Sequence, residues 1–364
     1  MNNGRLSARP LVVLFLLFGA VMVALEMLVN RKSDGTLLLT LTYWTMAAQG
    51  AVALAAVGET SKGLWLIPVR RELLSMYPLI LFMALLYLLM GMRMDIYNWT
   101  EHPNAWLNTR FFIGRNFVVM LLTFWTAHLL ARAVMRDDPK KNTYAVLYIL
   151  AFVTSESLIA FDWIMSLEYP WISTLFGGHF FIQSFLMGLM LLAYVILFRT
   201  RAGVTGLSET LRDTSKMMFA FSFLWGGFLF AQYLTIWYGN IPEEVDYIFK
   251  RVDPSPYWGL SRVAITMIFA IPFLALLSRK IKIMPGPMAL VATSSAIGLI
   301  VEKIILITPV VPIDPIVVAV EFVAMLALFV LVFRARDSFM PQAVTASEKT
   351  PPHAATHSEA ATFS

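Results

Sequence analysis

The sequence predicts an all-α integral membrane protein of ten transmembrane helices, on three observations. Apolar residues make up 59% of the chain and charged residues 14%, against roughly 45–50% and 25% in soluble domains. Mean hydropathy is +0.71. Ten separate runs reach the roughly 20 mainly apolar residues that a helix needs to cross a bilayer.

In chain order those runs are 10–29, 36–57, 73–92, 111–135, 143–165, 174–198, 215–238, 257–278, 285–307 and 313–333. The first follows Arg5 and Arg9 and has no small-residue cleavage site after it, so it reads as an uncleaved span rather than a signal peptide. Between the second and third runs, GLWLIPVRR at 63–71 reads as an interfacial helix with Trp65 and two arginines at headgroup level. The stretch 95–108, with Trp99 and Trp106, reads as its counterpart on the other face. After the seventh run, Trp237 and Tyr238 suit an aromatic belt. Asn240 and Pro242 then break the helix, and Glu243, Glu244 and Asp246 predict an acidic loop, either solvated or a docking surface for a redox partner. Residues 337–364, rich in Ser, Thr, Ala and Pro, predict a disordered tail in which His353 and His357 are solvated.

Basic residues sort the two faces. One face takes Arg5 and Arg9, then Lys62, Arg70 and Arg71, then Arg132, Arg136, Lys140 and Lys141, and three further clusters ending at Arg334 and Arg336. The other takes fewer: Arg31, Lys32, Arg93, Arg110, Arg115, Lys250, Arg251 and Arg262. By the positive-inside rule both termini are expected in the cytoplasm. Because these basic residues flank apolar spans, the net charge of +5 is accounted for by topology and carries no nucleic-acid signal.

The chain has no cysteine, which excludes its own iron–sulfur cluster, disulfides and thiol catalysis. A bis-histidine haem is also disfavoured. The two in-span histidines, His128 and His179, sit at depths differing by about 18 Å at 1.5 Å of rise per residue.

The chemistry that remains lies in ionisable residues inside the spans, each costing ~2.5–3.5 kcal/mol near the bilayer centre on the insertion scale. These are Glu156 and Asp162 on the fifth span, His179 on the sixth, Glu302 and Lys303 on the ninth, Glu321 on the tenth and His128 on the fourth. Two readings stand for each. Either the group is structural, satisfied by a hydroxyl or an opposite charge on a neighbouring helix, or it lines a path for protons. Ser155 and Asp162, seven apart, are expected on one helix face, and Glu156 about 120° from Asp162. Glu302 and Lys303 are adjacent and cannot pair on their own helix, so each must look to another element; Lys303 could also snorkel outward. Gly177 and Gly178 beside His179 permit close helix approach. Arg262 reads as an interface anchor.

The frame FDWIMSLEYPWISTLF at 161–176, with Asp162, Ser166, Trp171 and Thr174, resembles the middle of the NrfD-like family of polysulfide-reductase membrane subunits. Together with WYGNIPEE at 237–244 and IPFLALLSRKIK at 271–282, it resembles the smaller of the two such subunits in bacterial alternative complex III. The likeness covers about 11–336.

That resemblance implies a polytopic domain over 1–336 with two four-helix bundles, about 36–165 and 174–307, flanked by the first and last helices. It implies a membrane subunit of a quinol:cytochrome c oxidoreductase in the bacterial inner membrane, with no covalently bound cofactor. Its partners would be a larger NrfD-like sibling that oxidises menaquinol or ubiquinol, an iron–sulfur subunit, haem c subunits and possible association with a terminal oxidase. The chain would contribute a proton path and structural support, with Asp162 at the position of the family's acid near the quinone pocket. Alternatives are a quinol-binding anchor in its own right and a secondary transporter. A transporter is expected to show midplane helix breaks and inverted repeats, whereas the prolines here fall mostly at span ends.

Overall fold

The computed structural model describes residues 8–28 and 34–341. Arg5, Arg31, Lys32, His353 and His357 therefore lie outside the described residues, as does the expected tail beyond Pro341.

Ten helices long and apolar enough to span a membrane run Arg9–Met27, Thr36–Thr60, Arg70–Met92, Thr109–Arg136, Lys141–Glu168, Leu175–Arg201, Ser208–Gly239, Tyr257–Ala275, Pro285–Ile307 and Pro315–Phe339. They are called the first to tenth spans. No strand occurs among the described residues. The second, third, fourth and fifth spans pack in a ring, and the sixth to ninth form another. The first and tenth pair with each other, the tenth lying against the second and the first against the third.

The second span is the axis. It is buried on every side, the position that suits a helix apolar all round. Its run of small residues, Ala47, Ala48, Gly50, Ala51, Ala53, Ala55 and Ala56, lets neighbours approach closely. The sixth span crosses it at Gly50 and Gly188, backbone against backbone. A Cβ on Gly50 would sit 1.8 Å from the carbonyl oxygen of Ser184, and one on Gly188 would sit 2.3 Å from that of Gly50.

Helix ends follow local sequence. Asn108 caps the fourth span by accepting from the Phe111 amide. Asp314 caps the tenth by accepting from Ile316 and Val317. Asp137 and Asn240 end the fourth and seventh spans in the left-handed region, at φ 52° and 46°, a conformation that short polar side chains tolerate.

Several local expectations are corrected. The acidic stretch after Asn240 is a helix, Pro242–Val252, not an irregular loop. Pro242 stands at its first turn with Glu243 and Glu244, and Lys250 and Arg251 occupy the last turn, the order that complements the helix dipole. This helix lies across the bundle end. Tyr247 stacks on Trp171 with ring centroids 3.6 Å apart, and burial pushes its phenol up to about 12. Arg251 pairs with Glu168 at the end of the fifth span.

Residues 63–71 form a 3-10 turn, Leu64–Leu66, and then enter the third span rather than making a separate interfacial helix. Arg71 is drawn inward, donating to the carbonyls of Met340 and Pro341 and pairing with Asp337 at 2.7 Å. The tenth span accordingly stays helical to Phe339, past the expected start of the tail. Of the two tryptophans in the 95–108 stretch only Trp106 is exposed. Trp99 is buried, its indole donating to Ser166.

The central crossing generates a stability prediction. Gly50→Ala or Gly188→Ala should destabilise by at least about 2 kcal/mol, since overpacking against backbone has no side chain to yield. Gly91→Ala and Gly114→Ala, where an added Cβ meets nothing within 4 Å, should be nearly neutral. Thermal unfolding of the purified chain in one detergent compares the four; equal midpoints would refute the role given to the crossing.

Candidate functional site

The fifth span changes character between its two acids. It is α-helical from Lys141 to Leu158 and becomes a π-helix over Ile159–Ile164. The wider turn rotates Asp162 away from the face it would share with Ser155 in a regular helix. Ser155 accepts from Gln49 of the second span at 2.9 Å, whereas Asp162 faces the fourth span. The expectation of one shared face is therefore corrected, and the inserted π turn is the reason.

Asp162 is a closed site. Arg115 grips it bidentately, Nε to Oδ2 and Nη2 to Oδ1, both at 2.8 Å, and Asn116 donates to Oδ2 at 2.7 Å. Asn116 in turn accepts from the Trp163 indole at 3.0 Å, and Trp163 stacks on Tyr87 at 4.8 Å. Fork-on-carboxylate pairs of this kind are among the strongest charge-assisted contacts.

Four of the other candidates meet around the sixth span. His179 Nε2 lies 2.8 Å from Glu302 Oε1, and Gln183 Nε2 donates to the same oxygen at 2.9 Å. Lys303 donates to Gln183 Oε1 and places its ammonium 3.8 Å from the centre of the Phe180 ring. It is 1% exposed, so the outward-snorkelling alternative is excluded. Glu156, wholly buried, lies at 3.1 Å from Ser184 Oγ; that hydroxyl also donates to the Met46 carbonyl at 2.8 Å. Ser184 has one hydrogen and two acceptors to serve. Oε2 of Glu156 has no partner within the protein. Tyr148 and Gln49 continue the polar line, the tyrosine hydroxyl donating to the Gln49 carbonyl at 2.7 Å.

Two candidates stand apart. Glu321 accepts from Thr40 at 2.6 Å between the second and tenth spans, near the Glu26–Arg93 pair that joins the first span to the end of the third. His128 sits among Tyr77, Phe124 and Trp125 on the fourth span. Arg262 lies 3.3 Å over the Trp258 ring, as a surface anchor would. The site also takes in Gln183, Ser184, Gln49 and Asn116, which carry no charge, and Arg115, which sequence alone places only among the basic residues of one face. An amide inside an apolar run was the available signal for the first and third.

Beside the cluster a cavity of about 600 Å³ lies against the sixth, seventh, eighth and ninth spans and the Pro242–Val252 helix. Its wall is almost wholly apolar, with Phe223, Phe228, Phe230 and Phe269 along it and Gly226 and Gly227 making room. His179, Glu302, Trp225, Tyr247 and Arg251 are the buried residues of the lining that carry polar side-chain atoms. Phe223, Phe230 and Tyr233 are exposed on the outside, where a bilayer would lie. The shape and lining suit an apolar molecule with one hydrogen-bonding end. Among the described residues no group of three or more His, Cys, Asp or Glu side chains could hold a metal ion.

Ten apolar helices around buried ionisable groups define an all-α, multi-pass integral membrane protein. No protein-family model matches the chain, and no curated protein matches its sequence.

The Asp162 site yields a second prediction. Arg115→Met leaves a buried carboxylate without its counter-ion and should cost about 3 kcal/mol or more. The double variant Arg115→Met/Asp162→Leu should recover much of that loss. Unfolding midpoints of these and of Asp162→Leu, measured side by side, decide it; a double variant as unstable as the sum of the two single ones would remove the pairing argument.

Proposed function

We propose that this chain is a membrane subunit of a bacterial quinol-oxidising respiratory complex of the alternative complex III type, and that it contributes a proton-conducting route beside a sibling subunit that oxidises quinol. The observation that carries the route is the meeting of His179, Glu302, Lys303 and Glu156 around one segment of the sixth span, joined by Gln183 and Ser184. Burying that many ionisable groups in apolar helices is costly, and helices that do so commonly serve ion or proton traffic. The NrfD-like motifs at 161–176 and 237–244 support the assignment to such a complex.

On this reading the complex sits in the bacterial inner membrane with both termini of this chain in the cytoplasm, as the distribution of basic residues favours. Iron–sulfur and haem c subunits carry the electrons, and menaquinol or ubiquinol supplies them. Asp162, fixed by Arg115 and Asn116, serves as a structural tie, and His128 and Glu321 stand off the main line. Glu156→Gln and Glu302→Gln should each lower the protons released per electron in the reconstituted complex by at least about twofold, by analogy with the loss of one proton-transfer group. Unchanged stoichiometry in both variants would remove the route.

A second reading, that the chain binds quinol itself, draws support from the apolar cavity with His179 and Glu302 in its wall. Gly227 lines that cavity, and a Cβ there meets nothing within 4 Å. Gly227→Phe should therefore fill the space without strain. If the chain holds quinone, extracts of the purified variant should contain at most about one-tenth of the quinone found with the parent protein, the loss expected when a cavity is occluded. Equal amounts would leave the quinol to the sibling subunit.

A further inference from the structure

The cavity beside the seventh and eighth spans presents hydrocarbon over nearly all of its surface. Three polar atoms of its lining residues lack a partner, Glu302 Oε2, Trp225 Nε1 and Arg251 Nε, and all three are covered. The inner limit lies where the two spans touch. A Cβ on Gly226 would sit 2.9 Å from the Phe269 ring, and Phe269 stacks with Phe273 at 5.5 Å between centroids. Towards the end of the bundle that carries the Pro242–Val252 helix, the cavity separates the two spans. Phe230 and Tyr233 line one side of the gap, and Ser261 and Ile265 the other. Phe230, Tyr233 and Ile265 are also exposed on the outside, so the cavity opens sideways to the bilayer.

A cation without a counter-ion stands at that opening. Arg262 is exposed, one turn towards the bundle end from Ile265 and about 60° from it around the helix. Its guanidinium lies 3.3 Å over the Trp258 ring and makes no ion pair or hydrogen bond among the described residues. Stacking on a ring face leaves the N–H donors at the edge of the fork free. The neighbouring cations are already committed. Arg251 pairs with Glu168 and donates to the Tyr247 and Leu306 carbonyls, and Lys250 lies 2.7 Å from Asp246 and 3.5 Å from Glu168.

We propose that this cavity is a phospholipid site, with one acyl chain lying in it and the phosphate held by Arg262. An empty space of this size would forfeit dispersion contacts along its wall. Filling it with a chain gains little by itself, because the bilayer is as apolar as the wall. The preference must therefore come from the phosphate, which a guanidinium fork matches with two parallel hydrogen bonds. Trp258 and Tyr233 flank the opening, as aromatic residues do at headgroup level. A chain seated there takes the space that the second reading gives to quinol; the proton route does not depend on it.

The test compares two photoprobes with identical chains, phosphatidylglycerol and diacylglycerol, each carrying a diazirine in one acyl chain. Each is added to the full-length protein, with any partners that co-purify, in dodecyl maltoside, a detergent without phosphate. Crosslinks are mapped by mass spectrometry. Phosphatidylglycerol should label residues 223–233 and 261–269 at least about tenfold more than diacylglycerol, the factor expected for hydrogen bonding to one charged group. Arg262→Gln should lower that labelling to the diacylglycerol level and leave the diacylglycerol signal in place, a split that a loosened fold would not give. Gly227→Phe, which fills the cavity, should remove both signals.

Equal labelling by the two probes, or a phosphatidylglycerol signal indifferent to Arg262→Gln, overturns the site. Labelling that survives Gly227→Phe also overturns it, since the lipid then lies elsewhere; the Arg262 variant decides alone should Gly227→Phe not fold. Decylubiquinol displacing the phosphatidylglycerol probe at about a tenth of the concentration that unlabelled phosphatidylglycerol needs would return the cavity to quinol. Lipid labelling lost in Gly227→Phe, with the quinone in its extracts unchanged, keeps the phospholipid site and removes the second reading.

Discussion

The contact on which the site depends is made by two glycines. Gly50 and Gly188 bring the second and sixth spans to backbone contact, and nothing with a Cβ could occupy either position without moving a helix. That approach puts the Ser184 hydroxyl on the Met46 carbonyl and, with the fifth span packed alongside, the Tyr148 hydroxyl on the Gln49 carbonyl. Helix carbonyls already used in their own ladder accept these second bonds through their remaining lone pair. The polar groups of three helices thus come within reach of one another in the buried interior. A wider crossing would leave Glu156 facing hydrocarbon alone.

The buried charges are not equally compensated, and the differences sort their roles. Asp162 has three fixed donors on its two oxygens. Glu302 has two donors on one oxygen and none on the other. Glu156 shares a single hydroxyl with a backbone carbonyl. A buried ion pair gains little net stability, but breaking it is costly, so Asp162 behaves as a clasp between the fourth and fifth spans. A carboxyl with an unfilled oxygen has room to exchange a proton with a mobile neighbour. Glu156, Glu302 and Glu321 each have such an oxygen, the first two on the sixth-span side, whereas the saturated Asp162 lies away from it.

The ten spans were legible because each is a long apolar run bounded by charge or by proline, and Pro285–Ile307 ends where the pattern says it should. The meeting of His179 with Glu302 was not legible, since a pair 123 residues apart leaves no local signature. Two departures from expectation have different origins. The π turn at Ile159–Ile164 altered the phase of Asp162, and nothing in that apolar string announces it. Glu243, Glu244 and Asp246 taken alone suggest an acidic loop, whereas acids in the first turn and Lys250 and Arg251 in the last are the charge order of a helix. Gln183 carries no charge, so its place between Glu302 and Lys303 leaves no mark among the ionisable residues of the spans.

The π turn also explains how one helix can serve two purposes. A regular helix would keep Ser155 and Asp162 on one side, and the clasp to Arg115 would then compete with the contact to Gln49 for the same wall of the bundle. Widening the helix between them gives up regular hydrogen bonding over one turn and sends the two faces to different neighbours. Glu156 can look towards the sixth span while Asp162 anchors the fourth. Because the anchor is rigid, the upper half of the helix is held in register. That leaves Glu156, whose own hydrogen bonding is sparse, positioned by backbone geometry rather than by partners that would immobilise its protonation.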